Sequence, residues 1–483
     1  MKHSCIIFHF LLTFSLFGSV EDDLFDLDAI RDGSTLEVEI LSDWQLSKQD
    51  ASIRQKLIEV TVCEWWSGQK VRIPVTLNVP ASGPPCRNVL LMNMGLNPRV
   101  ATPNAVARTL LKEHGVGVVL VGMGTIEAME PVGELHLGMR QQLLNTKDVR
   151  YSAGWIWGMS QMRGLTAAIA ESDYFRPGKV LATGGSKRGI GSTIAGIHDD
   201  RFTAILPVVA PPVGNPGGVF VQGTEPKWLI EADNRFYADL DAGKLGLDQA
   251  VKEALLDRSE RWANTRIRLE QARKAGWSRK EIAQIEDKVR DFARIVNYLP
   301  EVEARGLDFF FNVGTNDGVT PGLLELGARY PDFPVYIVPG GQHGGPGTAG
   351  FTRRVPLLDA VNENLMSFAR YHFFKDRSFV DPPKVEMGWN DKQRTLTVTA
   401  RFPEKVDPQE NNLWWAIDKS EPGTLASQYD LWEKAPLQSV GGGVYRTQLA
   451  FPGKPKRLDI VTVHRHIENG LPLTISGPYF RMP

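Results

Sequence analysis

The sequence predicts an α/β layer protein built on a mostly parallel sheet, and three observations lead to this prediction. Short continuous apolar runs, such as residues 118–121, are typical of strands that are buried on both faces of a parallel sheet. Helical patterns alternate with these runs, which is typical of a doubly wound fold. The sheet is followed by a β-rich tail of different composition. We therefore expect one large α/β domain and one smaller β domain.

The element boundaries follow from the hydrophobic pattern. Helices are expected over residues 102–114, 153–171 and 186–198, the first opened by Thr102 as a hydroxyl cap and by Pro103 in its first turn. Eight strands are expected, over residues 56–63, 71–79, 88–93, 117–122, 179–184, 202–208, 308–313 and 334–338.

Composition excludes several classes of protein. The chain has 483 residues, of which 42% are hydrophobic and 23% charged, as in an ordinary globular protein rather than a disordered chain or a disulfide scaffold. It carries 55 basic and 56 acidic residues, for a formal net charge of -1. A nucleic-acid partner is therefore not expected, because such binding needs a basic excess to neutralise phosphates.

The amino terminus has the pattern of a secretory signal peptide over residues 1–20. Lys2 precedes an apolar run over residues 5–17, which is followed by the small residues Gly18 and Ser19 and then by acidic residues. The run is too short for a transmembrane helix. We expect a secreted or periplasmic protein without a stable membrane span after signal removal. An amino-terminal anchor or an unremoved apolar arm is the alternative.

The rest of the chain divides into two predicted domains. Residues 21–380 form the α/β domain, and residues 384–483 read as a fibronectin-III-like β-sandwich, with short alternating strands separated by turn residues. Residues 210–300 interrupt the α/β alternation with a long, charged, helical insertion. A connection of this length is usually functional, so we predict a helical cap or lid. A packed helical buttress is the alternative.

Cysteine and histidine patterns give weaker signals. Cys63 and Cys86 flank one predicted strand and form either a disulfide or two buried free thiols. His464 and His466 alternate on a strand, and we interpret them as polar residues on a solvent face rather than a metal pair. No zinc or nucleotide signature is present, so no metal or cofactor is expected.

The most informative segment is the turn around Ser186, which reads Thr-Gly-Gly-Ser-Lys-Arg-Gly from Thr183 to Gly189. It follows an apolar strand and precedes a helix, which is the context of the nucleophile elbow of α/β-hydrolases. Gly184 and Gly185 are expected to let the backbone turn without a side-chain clash. The strict pattern G-x-S-x-G is not met, because Arg188 occupies the place of the second glycine. A glycine-rich turn that binds an anion is the alternative.

Two later loops complete the pattern. Asp317 follows the strand at 308–313, and His343 follows the strand at 334–338, in the chain order of serine, acid and histidine typical of this fold. The sequence therefore predicts a Ser186–His343–Asp317 triad. Each residue alone would be read as an ordinary loop residue, but three matches at strand ends favour the triad.

An oxyanion site should lie beside the predicted nucleophile. One donor is expected from the backbone N–H of Lys187, and another from the loop that holds Gly95 and Leu96. The side chain of Lys187 or Arg188 is a candidate for binding an anionic group on the substrate. A solvated or salt-bridged pair is the alternative.

These motifs resemble the PhoPQ-activated pathogenicity-related proteins, a family of exported α/β-hydrolase-like proteins. The resemblance rests on the Ser-Lys-Arg-Gly turn, the Gly-Thr-Asn-Asp turn at residues 314–317, the His343 loop and a tail that opens with Pro383, Val385 and Trp389. It implies the α/β-hydrolase fold and catalytic roles for Ser186, Asp317 and His343. Relatives often have alanine at the position of Gly185, and the charged segment 249–297 is atypical. The serine turn is also similar to that of glucuronoyl esterases, whose site accepts a uronate ester.

The leading hypothesis is an exported serine hydrolase that cleaves an ester, and less readily a peptide bond, through an acyl-enzyme. Its partner would be a small-molecule or carbohydrate ester. One alternative is a non-catalytic binding or signalling protein on a hydrolase scaffold. Another assigns carbohydrate or partner binding to the sandwich domain, because its tail is rich in tryptophan (Trp389, Trp414, Trp415 and Trp432).

Overall fold

The structure is a computed structural model, and it describes most of the chain. The described residues are 24–94, 103–122, 134–213, 220–221, 238–239, 241–244, 267–318, 322–343, 357–403, 406–419 and 432–482. The predicted signal peptide at residues 1–20 lies outside them.

A ten-stranded mixed sheet forms the centre of the large domain. Its spatial order is β1-β2-β3-β5-β4-β6-β7-β11-β12, with β10 beside β7. The pairs from β1 to β3, and β3 with β5, are antiparallel, whereas the pairs from β5 through β12 are parallel. The strands are β1 (Glu39–Leu46), β2 (Ile53–Trp66), β3 (Gln69–Pro80), β4 (Cys86–Met94), β5 (Gly117–Gly122), β6 (Phe175–Gly185), β7 (Ala204–Val208), β10 (Asp308–Phe309), β11 (Phe311–Gly314) and β12 (Val335–Val338).

All eight predicted strand segments are confirmed, with two differences. The sequence missed β1, an irregular and largely exposed edge strand whose register with β2 shifts twice. The segment predicted at 308–313 is divided into β10 and β11. In β5, Val118 and Leu120 point into one hydrophobic core, and Val119 and Val121 point into the other. The apolar run is therefore explained by burial on both faces.

Helices cover both faces of this sheet. One face holds α4 and α5 and the other holds α2 and α10, each side with its own core. The helices are α1 (Leu27–Arg31), α2 (Ala105–His114), α3 (Glu134–Thr146), α4 (Ala153–Ala170), α5 (Lys187–His198), α6 (Leu269–Lys274), α7 (Arg279–Asp291), α8 (Leu299–Ala304), α9 (Leu323–Arg329) and α10 (Leu357–Phe374). The mixed sheet, its two helical layers and the strand–Ser186–helix turn make this an α/β-hydrolase fold.

The start of α2 differs from the prediction. Asn104, rather than Thr102, is the N-cap, and its side chain accepts a hydrogen bond from the N–H of Ala107 (2.9 Å). A carboxamide oxygen satisfies a first-turn N–H as well as a hydroxyl does, so the helix begins at Ala105.

The described part of the insertion packs against the main domain. Helix α7 starts at a capping box between Ser278 and Glu281, and Ile282, Ile285 and Val289 on its inner face join the same core as α4. This part is a buttress. The short strands β8 (Phe220–Val221) and β9 (Ile267–Arg268) pair in parallel. Most of residues 214–266 lies outside the described residues, so a lid formed by them stays a prediction.

The carboxyl-terminal domain consists of two antiparallel sheets, as predicted. One has the order β13-β14-β18-β17 and the other β16-β15-β19-β20, with β21 beside β19. Apolar side chains such as Leu396 and Leu413 fill the space between them. The strands are β13 (Lys384–Asn390), β14 (Thr395–Arg401), β15 (Glu410–Ile417), β16 (Glu433–Pro436), β17 (Gln438–Gly441), β18 (Val444–Ala450), β19 (Leu458–Glu468), β20 (Leu471–Ser476) and β21 (Phe480–Met482).

The interpretation of His464 as a solvent-facing residue is wrong. Its side chain is fully buried, 4.9 Å from the ring of Phe402 and hydrogen-bonded through Nδ1 to Oδ1 of Asn411 (2.7 Å). This face of β19 points into the sandwich core, where the imidazole ring packs against other aromatic side chains. Burial lowers the pKa of His464 to about 3.

Cys63 and Cys86 are both free thiols, so the unbridged alternative holds. Burial raises the pKa of Cys63 to about 12 and that of Cys86 to about 11. Both are therefore neutral thiols at physiological pH. Within the described ranges, no helix is long and apolar enough to cross a membrane.

Burial of His464 predicts an acid-sensitive sandwich domain. In the unfolded chain this histidine protonates near 6.5, whereas in the folded domain it protonates only near 3. Its contribution to stability is complete above pH 6.5 and is lost as the pH falls from there towards 3, by up to about 1.4 kcal/mol per pH unit. Urea denaturation of wild type and His464→Gln across this range should show a shallower pH dependence for the variant. An equal pH dependence of stability in wild type and in His464→Gln would contradict the prediction.

Candidate functional site

Three loops at the carboxyl edge of the sheet bring the predicted triad residues together. Ser186 follows β6, Asp317 follows β11, and His343 follows β12. Oγ of Ser186 lies 2.7 Å from Nε2 of His343. Nδ1 of the same ring lies 3.0 and 3.1 Å from the two carboxylate oxygens of Asp317. The three side chains therefore form one continuous hydrogen-bonded line.

The arrangement selects one tautomer of the histidine. The Asp317 side chain is fully buried, and that of His343 is 17% exposed. Because an ionised carboxylate only accepts hydrogen bonds, Nδ1 of His343 carries the proton and donates a hydrogen bond to Asp317. Nε2 is then left with a lone pair, and the Ser186 hydroxyl donates to it.

Ser186 lies in a strained backbone conformation between β6 and α5. Its φ is 59° and its ψ is -130°, which a non-glycine residue adopts at a cost of roughly 1–3 kcal/mol. Two backbone hydrogen bonds hold it there, from its N–H to the carbonyl of Val208 (2.8 Å) and from the N–H of Ile190 to its carbonyl (2.9 Å). Its hydroxyl does not cap the helix. It is therefore directed to His343 instead.

Gly184, rather than the pair Gly184 and Gly185, makes room for this turn. A Cβ added to Gly184 would lie 2.7 Å from Cβ of Arg188 and 2.9 Å from its carbonyl carbon. A Cβ added to Gly185 would have no atom within 4 Å, so the expectation that both glycines avoid a clash is wrong for Gly185. The space left by Gly184 also explains how Arg188 fits where the strict motif has glycine.

The acid loop and the histidine loop touch each other through their backbones. The N–H of Asn316 donates to the carbonyl of Gly341 (2.9 Å), and the N–H of Gly340 donates to Oγ1 of Thr315 (2.8 Å). A Cβ added to Gly314 would lie 2.3 Å from the same Gly341 oxygen. Only glycine at position 314 therefore lets the two loops approach this closely.

The predicted oxyanion and anion-binding residues are only partly described. Lys187 is the first residue of α5, so its backbone N–H lies in the first turn of the helix, directly after Ser186. Arg188 is half-buried, and its carbonyl accepts one hydrogen bond from Nε2 of Gln161 on α4 (3.2 Å), which joins the two helices, and one from Oγ of Ser192 within α5 (3.0 Å). Gly95 and Leu96 lie outside the described residues. Their role, and anion binding by Lys187 or Arg188, stay predictions.

Two residues lie beside the site although the sequence analysis gave neither of them a place there. Asn316 is buried next to Asp317, and its Oδ1 accepts a hydrogen bond from Nε1 of Trp432 (3.0 Å), which belongs to the carboxyl-terminal domain. The Gly-Thr-Asn-Asp turn could have pointed to Asn316. No local pattern connects Trp432 with a loop 116 positions earlier. Across the described part of the chain, no group of three or more His, Cys, Asp or Glu residues is placed to hold a metal ion.

Comparison with known proteins gives structural likenesses only. No protein-family model and no curated sequence matches the chain. An acetyl xylan esterase from Paenibacillus sp. R4 is 14% identical, with a TM-score of 0.40 over 72% of this chain and 92% of its own. A glucuronoyl esterase from Solibacter usitatus is 14% identical, with a TM-score of 0.37 over 70% of this chain and 86% of its own. Candida antarctica lipase A is 12% identical, with a TM-score of 0.33 over 66% of this chain and 79% of its own.

The contact between the two loops yields a prediction for Gly314→Ala. The added methyl group pushes the Gly341 carbonyl away and separates Asp317 from His343, so labelling of Ser186 by a fluorophosphonate probe should slow by about 100-fold. Gly185→Ala is the matched control, because it adds the same methyl group next to Ser186 in open space. Rates within about two-fold of wild type for both variants would show that the loop contact does not set the geometry.

Proposed function

We propose that this protein is an exported serine hydrolase that cleaves carboxylic esters through an acyl-enzyme on Ser186. The observation that carries the proposal is the hydrogen-bonded line from Ser186 through His343 to the buried Asp317. Serine is a poor nucleophile without a base, and this geometry supplies one. The export part rests on the pattern of residues 1–20.

The proposed mechanism assigns one task to each side chain. Nε2 of His343 takes the hydroxyl proton as Oγ of Ser186 attacks the ester carbonyl, and it then gives that proton to the departing alcohol. Asp317 orients the ring and stabilises the imidazolium that forms in between. The backbone N–H of Lys187 is the donor that we assign to the oxyanion. Water, activated by the same histidine, releases the acid and restores the serine.

Esters are proposed ahead of amides on chemical grounds. An alcohol leaves a tetrahedral intermediate with less help from a proton donor than an amine does, so an ester makes the smaller demand on His343. Uronate and acetyl esters of sugars are the first carbohydrate substrates to test, because the serine turn is similar to that of glucuronoyl esterases. The Ser-Lys-Arg-Gly turn and the β-rich tail support placing the chain in the PhoPQ-activated family as part of this proposal.

Probe labelling tests the proposal directly. Wild type should react with a fluorophosphonate at Ser186, and Ser186→Ala should not. Ser160→Ala is the matched control, because this buried serine only donates to the carbonyl of Ile156 on α4 (2.7 Å). His343→Ala should lower the rate of ester hydrolysis by at least about 10³-fold.

A folded wild type that neither reacts with the probe nor hydrolyses any acetyl or uronate ester would contradict the proposal. It would favour a binding protein on a hydrolase scaffold. Equal labelling of wild type and Ser186→Ala would instead place the reactive residue elsewhere.

A further inference from the structure

The carboxyl-terminal domain reaches the candidate site through one side chain. Trp432 directly precedes β16, and its indole Nε1 donates to Oδ1 of Asn316 at 3.0 Å. Asn316 is 2% exposed and directly precedes Asp317, the predicted triad acid, in the chain. A residue of the sandwich domain therefore holds the side chain of the residue next to that carboxylate.

This hydrogen bond continues into the histidine loop. Oδ1 of Asn316 also accepts from the hydroxyl of Thr315 (3.0 Å), and that hydroxyl oxygen in turn accepts from the N–H of Gly340 (2.8 Å). The indole N–H and the backbone N–H can only donate, so the direction of these hydrogen bonds is fixed. Gly340 lies three residues before His343. Trp432 is thus linked to both the acid loop and the base loop.

The ring of Trp432 packs against the sandwich domain. Its ring centroid lies 6.1 Å from that of Tyr479, a residue with 1% exposure whose hydroxyl donates to Oδ1 of Asp459 (2.8 Å). Asp459 is fully buried and also accepts from Nε of Arg481 (2.9 Å). The indole therefore rests on a fixed polar network of the sandwich domain rather than on a free loop.

The sandwich domain also contacts β11 and β12, the strands that precede the acid loop and the histidine loop. The N–H of Ile337, on the edge strand β12, donates to Oγ of Ser476 (2.9 Å). Asn364 on α10 connects the two domains. Its side-chain amide donates to Oδ1 of Asn312 on β11 (2.9 Å) and exchanges two hydrogen bonds with the backbone of Thr474 on β20. Strand β20 thus covers the outer edge of the sheet where the acid and histidine strands lie.

We propose that Trp432 is a positioning residue, through which the sandwich domain holds Asp317 and His343 in register with Ser186. The inference rests on the proposed function for its kinetic consequence, but the geometric claim can be measured without activity. On this account the carboxyl-terminal domain is a structural part of the active site rather than an independent binding module.

The test uses Trp432→Phe, which keeps an aromatic ring against Tyr479 and removes the N–H donor. The matched control is Trp389→Phe on β13, in the other sheet of the same domain, because Nε1 of Trp389 also donates to a side-chain oxygen, Oδ1 of Asp391 (2.8 Å). For ester hydrolysis, kcat should fall by about 10-fold in Trp432→Phe with KM within about two-fold of wild type, and the control should match wild type.

Asn316→Ala removes the same hydrogen bond from its other end and serves as the second variant. Combining it with Trp432→Phe should lower kcat no further than Asn316→Ala alone, because both changes act through one contact. Effects that multiply would show that the two residues act independently and would overturn the inference.

A spectroscopic readout separates this inference from the proposed function. The proton on Nδ1 of His343, bonded to Asp317, should give a downfield ¹H resonance that is absent in His343→Ala. Trp432→Phe should shift or broaden it, and Trp389→Phe should leave it in place. An unchanged resonance in Trp432→Phe, or equal changes in both variants, would overturn the inference. A wild type without probe labelling would refute the proposed function, while this resonance still decides the role of Trp432.

Discussion

The backbone contact between the acid loop and the histidine loop is the constraint on which the candidate site depends. Gly314 sits against the carbonyl of Gly341 so closely that a single added carbon would lie 2.3 Å from it. This approach brings Nδ1 of His343 within reach of both oxygens of Asp317. With that side of the ring fixed, the other side faces Ser186. The close approach of the acid loop and the histidine loop thus depends on the absence of a side chain at Gly314.

The candidate site contains three local features that would be unfavourable on their own. Ser186 has a positive φ, Val209 on the neighbouring loop has one as well (45°), and Asp317 is a carboxylate removed from water. Each is stabilised by its surroundings. The N–H of Ser186 bonds to Val208, the N–H of Val209 bonds to the carbonyl of Asn312 (2.7 Å), and Asp317 bonds to His343. The rigid sheet and the sandwich domain together offset the local cost, which is the expected pattern for a preorganised site.

Features with a local signal were predicted well from the sequence. Apolar runs located the central strands such as β5, because burial on both faces leaves no room for polar residues. The chain order of Ser186, Asp317 and His343 located three side chains that the structure brings together. Features set by distant packing were missed. Strand β1 has no clean alternation, and His464 reads as polar although its ring packs in a core. The bond from Trp432 to Asn316 joins two domains, and no pattern along the chain encodes it.

The most direct test of the central claim is to trap the covalent intermediate. Wild-type protein would be quenched with acid during turnover of an activated acetate ester, and its peptides would be mapped by mass spectrometry. We expect one acetyl group on Ser186, which forms in a burst before steady-state hydrolysis and is missing in His343→Ala. Hydrolysis without acetylation of Ser186, or acetylation that persists unchanged when His343 is removed, would contradict it.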